Sequence, residues 1–300
     1  MSSPSSPAAP DAPALDVAIV SYRCEALLRE CLRSLRENPP RGRLTIHVVD
    51  NASGDGTPDM VEREFGDVRL TRNGDNVGFG TANNQAFADG DAPYVLVLNP
   101  DTRITPGSLD ALLEVMAAHP ELGMCGPRLE REDGSFDHAA RRSFPTPLSA
   151  LGHFTGVGRR RRSGTLAAYR APEVESGRVD AVNGAFMLIR RAALERVGGF
   201  DEGFWMYMED LDLSYRFAEA GWPSWYEPSV TVIHAKAGTT GPQRSPRLDA
   251  AFHHGMYRFY RKHYAPDRNP ALNALVYVGI AAKLALSIVA TAVRRALRAR

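Results

Sequence analysis

Two acidic stretches carry the strongest chemical signal in the sequence. The first, Tyr94-Val-Leu-Val-Leu-Asn-Pro-Asp101, sets a carboxylate just beyond an apolar run, with Pro100 stiffening the turn. A hard divalent cation prefers oxygen ligands, and one such carboxylate can hold Mg²⁺ or Mn²⁺ against a substrate diphosphate. A plain turn acid ahead of Ile104-Thr105-Pro106 would look the same. The second stretch, Trp205-Met-Tyr-Met-Glu-Asp-Leu-Asp212, runs four large side chains into three acids. An apolar rim raises the basicity of a carboxylate, which tunes it as a general base. The alternative is a solvated first helical turn favoured by the helix dipole. On a helix Asp210 and Asp212 point about 200° apart, so the two cannot serve one site.

The remaining candidates are weaker taken singly. Asn73-Gly-Asp-Asn-Val-Gly-Phe-Gly-Thr-Ala-Asn-Asn84 contains Gly78-x-Gly80, but Asn83 stands at the third glycine position of a dinucleotide fingerprint. This argues against a nicotinamide dehydrogenase and leaves a tight loop that lets backbone approach a ligand, or a plain structural turn. His234 closes the strand-like run Val230-Thr-Val-Ile-His, and a lone histidine there is more often a structural residue than a ligand. Cys24, Cys31 and Cys125 form no CxxC pair, which argues for a reducing compartment and against a zinc or disulfide framework.

The elements that must position these groups alternate. Strand-like runs at 16–21, 44–49, 68–70 and 94–98 are interleaved with helical spacing at 25–37, 57–65 and 81–88. The run at 94–98 has no polar alternation, as expected of a central strand buried on both faces. Repeated βα units predict a mostly parallel sheet with helices on both faces, whose ligands bind beyond the carboxyl ends of the strands. Ser21-Tyr22, Asp50-Asn51 and Asn99-Pro100-Asp101 all fall at such ends, and one cleft is expected to gather them. Further strand-like runs lie at 184–189 and 229–233, and a Pro/Gly-rich break at 237–246 precedes a final helical region.

Taken in order, VAIVSYR, VVDNASGDGT, NVGFGTANN, VLNPD, VNGAFMLIRR, GGFDEGFWMYMEDLDL and the terminal His234 resemble the inverting family 2 glycosyltransferases of the GT-A fold. The YMEDLDL and HAKAGTT stretches look most like bacterial rhamnosyltransferases, which move L-rhamnose from dTDP-rhamnose onto a polyprenyl-diphosphate-linked sugar. The resemblance implies a Rossmann-like GT-A domain over residues 16–240. Ser21, Tyr22 and Asp50 would hold nucleobase and ribose, and Asn76, Gly78 and Asn83 would shape the donor pocket. Asn99 stands at the first acid of the family's DxD motif, which leaves the metal, Mg²⁺ or Mn²⁺, to Asp101 and His234. Asp210 of the Glu209–Asp210 pair would be the catalytic base, with Asn183, Gly184 and Trp205 on the acceptor side. A UDP-galactofuranose or UDP-N-acetylglucosamine donor is the same-class alternative, and a catalytically silent nucleotide-sugar or glycan-binding module the alternative of another class.

The chain has 300 residues and a formal net charge of +1, which hides a split. Residues 251–300 carry nine Arg or Lys against Asp267, so +8, and the remainder sums to −7. Only Lys236, Lys262 and Lys283 are lysines among 36 basic residues, an Arg bias that devalues any single Arg as a signal. Residues 271–293 are nearly all apolar, yet Lys283, Ser287, Thr291, Arg294, Arg295 and Arg298 gather on one side of a helix. That pattern predicts a basic amphipathic helix lying in a lipid headgroup region, ahead of a transmembrane span or a helix docked on the core. The run Gly158-Arg-Arg-Arg-Arg-Ser163 would add anionic-lipid or diphosphate attraction. The first fifteen residues read as a disordered lead without signal-peptide features. The expected partners are a nucleotide-sugar donor, a lipid-linked or glycan acceptor and a membrane surface, with a second copy of the chain as a further candidate and nucleic acid excluded. The expected location is cytoplasmic, peripheral on the inner face of the plasma membrane.

Overall fold

The computed structural model describes residues 14–145, 175–235 and 245–298. The Arg run at 159–162, most of the 237–246 break and nearly all of the N-terminal lead lie outside the described residues. The first strands and helices alternate as β1 (Leu15–Ser21), α1 (Glu25–Glu37), β2 (Leu44–Asp50), α2 (Thr57–Glu64), β3 (Arg69–Arg72), α3 (Phe79–Ala88) and β4 (Tyr94–Leu98). β5 (Thr102–Arg103), α4 (Ser108–Ala118) and β6 (Met124–Glu130) follow, then the short β7 (Arg141–Arg142). Beyond the gap come β8 (Gly177–Val179), β9 (Ala181–Val182), β10 (Phe186–Arg190), α5 (Arg191–Val197), α6 (Glu209–Glu219) and β11 (Ser224–His234). Helices α7 (Pro246–His263) and α8 (Pro270–Arg298) close the chain.

The central sheet runs β3-β2-β1-β4-β10-β6-β11-β5, with β8 paired to β11 as the ninth strand. β3, β2, β1 and β4 are mutually parallel, β10 opposes both β4 and β6, and β11 runs parallel to β6. Six of the nine strands thus share one direction, and the mostly parallel expectation holds. Sequence reading shortened β11, because Pro228 and the register shift between Glu227 and Thr231 interrupt the pattern of an otherwise continuous strand.

Side chains alternate across this sheet into two cores. Leu15, Val17, Ile19, Leu96, Leu98 and Leu188 face one layer with Leu28, Leu32 and Leu35 of α1 and Leu109, Leu112 and Leu113 of α4. Ala18, Val95, Val97, Met187 and Ile189 face the other, with Ala82 and Ala86 of α3 and Leu213 and Phe217 of α6. Burial on both faces explains why β4 reads as an unbroken apolar run. A third, smaller core of Phe204, Met208, Leu211 and Phe259 seats α7 against the loop ahead of α6.

α8 does not dock on the core. Leu275, Val278 and Leu286 are 68%, 65% and 70% exposed, while Asn273 accepts from the Tyr260 hydroxyl at 2.7 Å and the Tyr277 ring packs at a tilt against Tyr257 of α7. The helix is long and apolar enough, by length and composition, to cross a membrane. Leu275, Val278, Leu286 and Val289 lie on the side of the helix opposite Asn273 and Tyr277.

Candidate active site

The carboxyl ends of β1, β2, β4 and β11, the start of β10 and the first turn of α6 converge on one edge of the sheet. On the first side of this edge Asp50, buried at the end of β2, accepts from Ser21 Oγ at 3.0 Å and from the Ser53 backbone N–H at 3.0 Å. The neighbouring Asn51 donates from Nδ2 to the Gly78 carbonyl at 3.1 Å, joining the strand ends to the Asn-rich loop. Gly78 has φ +94°, and a Cβ there would overlap the Trp205 carbonyl, so the loop closes only around glycine. Asn76 accepts from the Gly78 N–H through Oδ1 at 3.1 Å, and its carbonyl accepts from Trp205 Nε1, also at 3.1 Å. Trp205, expected on the acceptor side, therefore also braces the loop expected to shape the donor pocket. Asn83 is fully buried; its Nδ2 donates to the Phe79 carbonyl, and its Oδ1 has no hydrogen-bond partner among the described residues. Tyr22 lies partly exposed with the Arg23 guanidinium over its ring.

Asp101 and His234 meet in the middle of the edge. The pairing of His234 with Thr102 across β11 and β5 brings them together, and His234 Nε2 lies 3.4 Å from Asp101 Oδ1. That oxygen is buried and accepts no hydrogen bond among the described residues. His234 Nδ1 faces Asp137 Oδ2 at 3.3 Å. Burial alone would depress the imidazole, but Asp101 and Asp137 outweigh it and raise its pKa to about 9. At neutral pH both His234 nitrogens thus carry protons; a divalent cation that displaced the Nε2 proton, with Nδ1–H kept on Asp137, would find Asp101 and His234 a suitable donor pair. No group of three His, Cys, Asp or Glu with metal-holding geometry exists among the described residues, so the pair would leave positions for diphosphate oxygens and water. Asn99 sits against the opening of β10, its N–H donating to the Ala185 carbonyl at 2.9 Å.

The third side holds the acid pair. Tyr207 and Met208 both adopt left-handed backbone, φ +70° and +72°, and this turn delivers Glu209 and Asp210 to the start of α6. α7 approaches so closely behind it that a Cβ on Gly255 would come 2.8 Å from the Tyr207 carbonyl. Asp210 Oδ2 accepts from the Gly184 N–H at 3.0 Å and from the Arg142 guanidinium, and Oδ1 accepts from the Leu211 N–H at 2.8 Å. Glu209 is buried beside it, and burial together with the Asp210 charge pushes its pKa well above the ordinary carboxylate range. Asn183 is committed to structure, donating to the Ala139 carbonyl and accepting from the Ala185 N–H.

The family model for glycosyl transferase family 2 matches residues 16–198, more than half of the chain. The chain belongs to that family. Among its relatives is the N-acetylglucosaminyl-diphospho-decaprenol L-rhamnosyltransferase of Mycobacterium tuberculosis, 38% identical over 258 residues, which are 80% of this chain and 81% of that protein. The rhamnosyltransferase WbbL of Escherichia coli is 30% identical over 73% of this chain and 82% of its own. Among solved structures, the mannosyltransferase PcManGT of Pyrobaculum calidifontis, in complex with GDP-Man and Mn²⁺, has a TM-score of 0.59 at 19% identity, covering 97% of this chain and 83% of that one. That likeness establishes the GT-A fold. The protein is a glycosyltransferase.

In this glycosyltransferase the matched span ends before Glu209, Asp210 and His234, which the fold alone brings back to the family's strand ends. Sequence reading missed Arg142 and Asp137. Arg142 is 68 residues from Asp210 in the chain, and no local spacing announces the pair. Asp212 falls outside the site, as its helical offset requires: it is buried against Arg216, Lys262 and His263 at 2.7–2.8 Å and bolts α7 to α6. Burial pushes the thiols of Cys24 and Cys31 up to about 12, which makes both inert at working pH.

Proposed function

We propose that the enzyme transfers L-rhamnose from dTDP-rhamnose to a lipid-linked N-acetylglucosaminyl diphosphate in a single displacement with inversion. The observation that carries this reading is the 38% identity, across four-fifths of both chains, with the mycobacterial L-rhamnosyltransferase whose name states that acceptor. Ser21, Tyr22 and Asp50 hold the nucleobase and ribose, the loop of Asn76, Gly78 and Asn83 shapes the donor pocket, and Asn99 lies beside the diphosphate. Asp101 and His234 would hold Mg²⁺ or Mn²⁺; when bound, the ion offsets charge on the departing diphosphate. The buried Asp101 Oδ1 supports that assignment.

Asp210 takes the proton from the acceptor hydroxyl as it attacks the anomeric carbon. One base suffices, because the nucleoside diphosphate leaves without needing a proton donor of its own. Trp205 and the Asn183–Gly184 turn border the acceptor. A buried Glu209 that holds its proton serves as an uncharged neighbour, so that one negative charge, not two, faces the substrate.

The acceptor's lipid calls for a membrane surface, and α8 fits one. At 100° per residue Leu275, Val278, Leu286 and Val289 fall within about 80° of one another. Asn273 and Tyr277, which bind α7, lie on the opposite side of the helix, together with the buried Ile280. The helix therefore offers an apolar stripe away from the body, and the basic C-terminus suits anionic headgroups at the inner face of the plasma membrane.

A turnover screen of nucleotide sugars with Mg²⁺ or Mn²⁺ and a polyprenyl-diphosphate-linked N-acetylglucosamine tests the donor. Transfer from dTDP-rhamnose is expected. Activity confined to UDP-galactofuranose or UDP-N-acetylglucosamine would overturn the rhamnosyl reading, and nucleotide binding without any turnover would favour a silent module.

A further inference from the structure

Arg142 reaches the acid pair by a route fixed in the backbone. β7 pairs antiparallel with β9, Arg141 opposite Val182 and Arg142 opposite Ala181. Adjacent strand residues point to opposite faces. Arg141 is buried with its guanidinium over the rings of Phe136 and Tyr226, at 5.3 and 5.0 Å to their centroids. Arg142 must therefore turn the other way, where Nη2 donates to the Val182 carbonyl at 3.1 Å and to Asp210 Oδ2. The strand end is tied down by the Phe144 N–H, which donates to Asp180 Oδ2 at 2.9 Å. Both partners of the ion pair are largely shielded, with side chains 12% and 11% exposed.

A carboxylate offers about four lone-pair sites. At Asp210, Oδ2 uses both of its sites on Arg142 and the Gly184 N–H, and Oδ1 uses one on the Leu211 N–H. Among the described residues one site at Oδ1 remains for a substrate hydroxyl. Two adjacent buried carboxyls also present an electrostatic problem, since like charges in one low-dielectric site oppose each other. A single guanidinium, placed on Asp210, resolves it by neutralising that residue's charge.

We propose that Arg142 is a positioning residue, which fixes the Asp210 carboxylate and leaves Oδ1 as its proton-accepting oxygen. The proposal rests on Asp210 being the base. It divides the pair into an oriented, charge-compensated Asp210 and a neutral Glu209, and it predicts that Arg142 acts on the rate without holding either substrate. Lysine cannot replace it fully, because both bonds are made by Nη2, one bond further out than a lysine ammonium, and at the end of a rigid planar group rather than a flexible stem.

The test is a kcat–pH profile of wild type, Arg142→Gln, Arg142→Lys and Asp210→Asn, with dTDP binding measured in parallel. R142Q is expected to lower kcat by about 10- to 100-fold and to move the acid limb of the profile to higher pH, because the base loses its cation. Binding of dTDP should stay within about threefold of wild type, and R142K should return the acid limb toward its original position with only part of the rate. A reduced rate with an unmoved acid limb in both Arg142 variants would reduce the residue to a structural strut and overturn the proposal, as would an unchanged rate. If R142Q fails to fold, the uncharged Arg142→Met takes its place under the same outcomes: a lowered rate with a raised acid limb supports the proposal, and an unmoved limb or wild-type kinetics refutes it. Full turnover in D210N would instead remove the base assignment itself, and so separates failure of that reading from failure of this one.

Discussion

The donor half and the acceptor half of the cleft are built in different ways. The donor half gathers residues that each terminate a strand of the parallel sheet: Ser21 of β1, Asp50 of β2 and Asn99 and Asp101 just past β4. Once the strands pair, these residues have nowhere else to go, and the bonds among them run to backbone or to the next strand end. The acceptor half is held by side chains that cross the fold. Arg142 meets Asp210 across 68 residues, and Asp212, outside the site itself, ties the helix that carries Asp210 to Lys262 and His263 of α7. Sheet topology positions donor groups for any member of such a fold, whereas the acceptor half depends on long-range pairs that this sequence must supply. Asp210, the proposed base, sits on the second kind of support.

That contrast sets the order of expected effects. Asp210→Asn should be largest, lowering transfer by about 10²–10⁴-fold while dTDP affinity, measured by calorimetry, stays within a few-fold. Loss of nucleotide binding along with turnover would show that the two halves are not separable. Asp101→Asn should come next: it removes a ligand from the donor side, so the Mn²⁺ concentration needed for half-maximal turnover should rise by about tenfold or more. An unchanged metal dependence would transfer that role elsewhere.

Glu209→Gln should be milder near neutral pH, since the native side chain already holds its proton there. The sign of its effect on stability follows from the raised pKa. The folded protein keeps a proton on Glu209 over a range where the unfolded chain releases it, so this stabilisation is full below the ordinary value and is lost as pH rises through the folded one. The amide does not titrate. The melting temperature of E209Q relative to wild type should therefore climb steadily between about pH 5 and about pH 8. A flat difference would mean that Glu209 is ionised in the folded protein.

The smallest effect on chemistry belongs to α8. Replacing Leu275, Leu286 and Val289 together by Ser should abolish sedimentation with anionic phospholipid vesicles and leave transfer to a soluble, short-chain acceptor within about twofold, because that stripe faces away from the body. Retained vesicle binding would place the membrane contact elsewhere on the chain.

The same contrast explains what could be read from the sequence. An apolar run ending in Asn-Pro-Asp reports both a central strand and the group at its end, and so the parallel half of the sheet and Ser21, Asp50 and Asp101 were legible. Glu209 and Asp210 were legible through their aromatic lead-in, and the 200° offset correctly sent Asp212 to another partner. Arg142 was not legible. Its neighbour Arg141 is identical in type, the chain is rich in arginine, and only the pairing of β7 with β9 decides which of the two turns toward Asp210. His234 was visible as a strand end, but its second partner, Asp137, stands alone in a turn with no spacing to mark it.

The central claim is that one base, Asp210, drives a single displacement at the anomeric carbon. It is tested most directly by the anomeric configuration of the transferred sugar, read by NMR in the purified product and set against that of the donor. Inversion is the predicted result. Retention would contradict the account, because it requires a second displacement or a front-face path in which a lone general base has no such part.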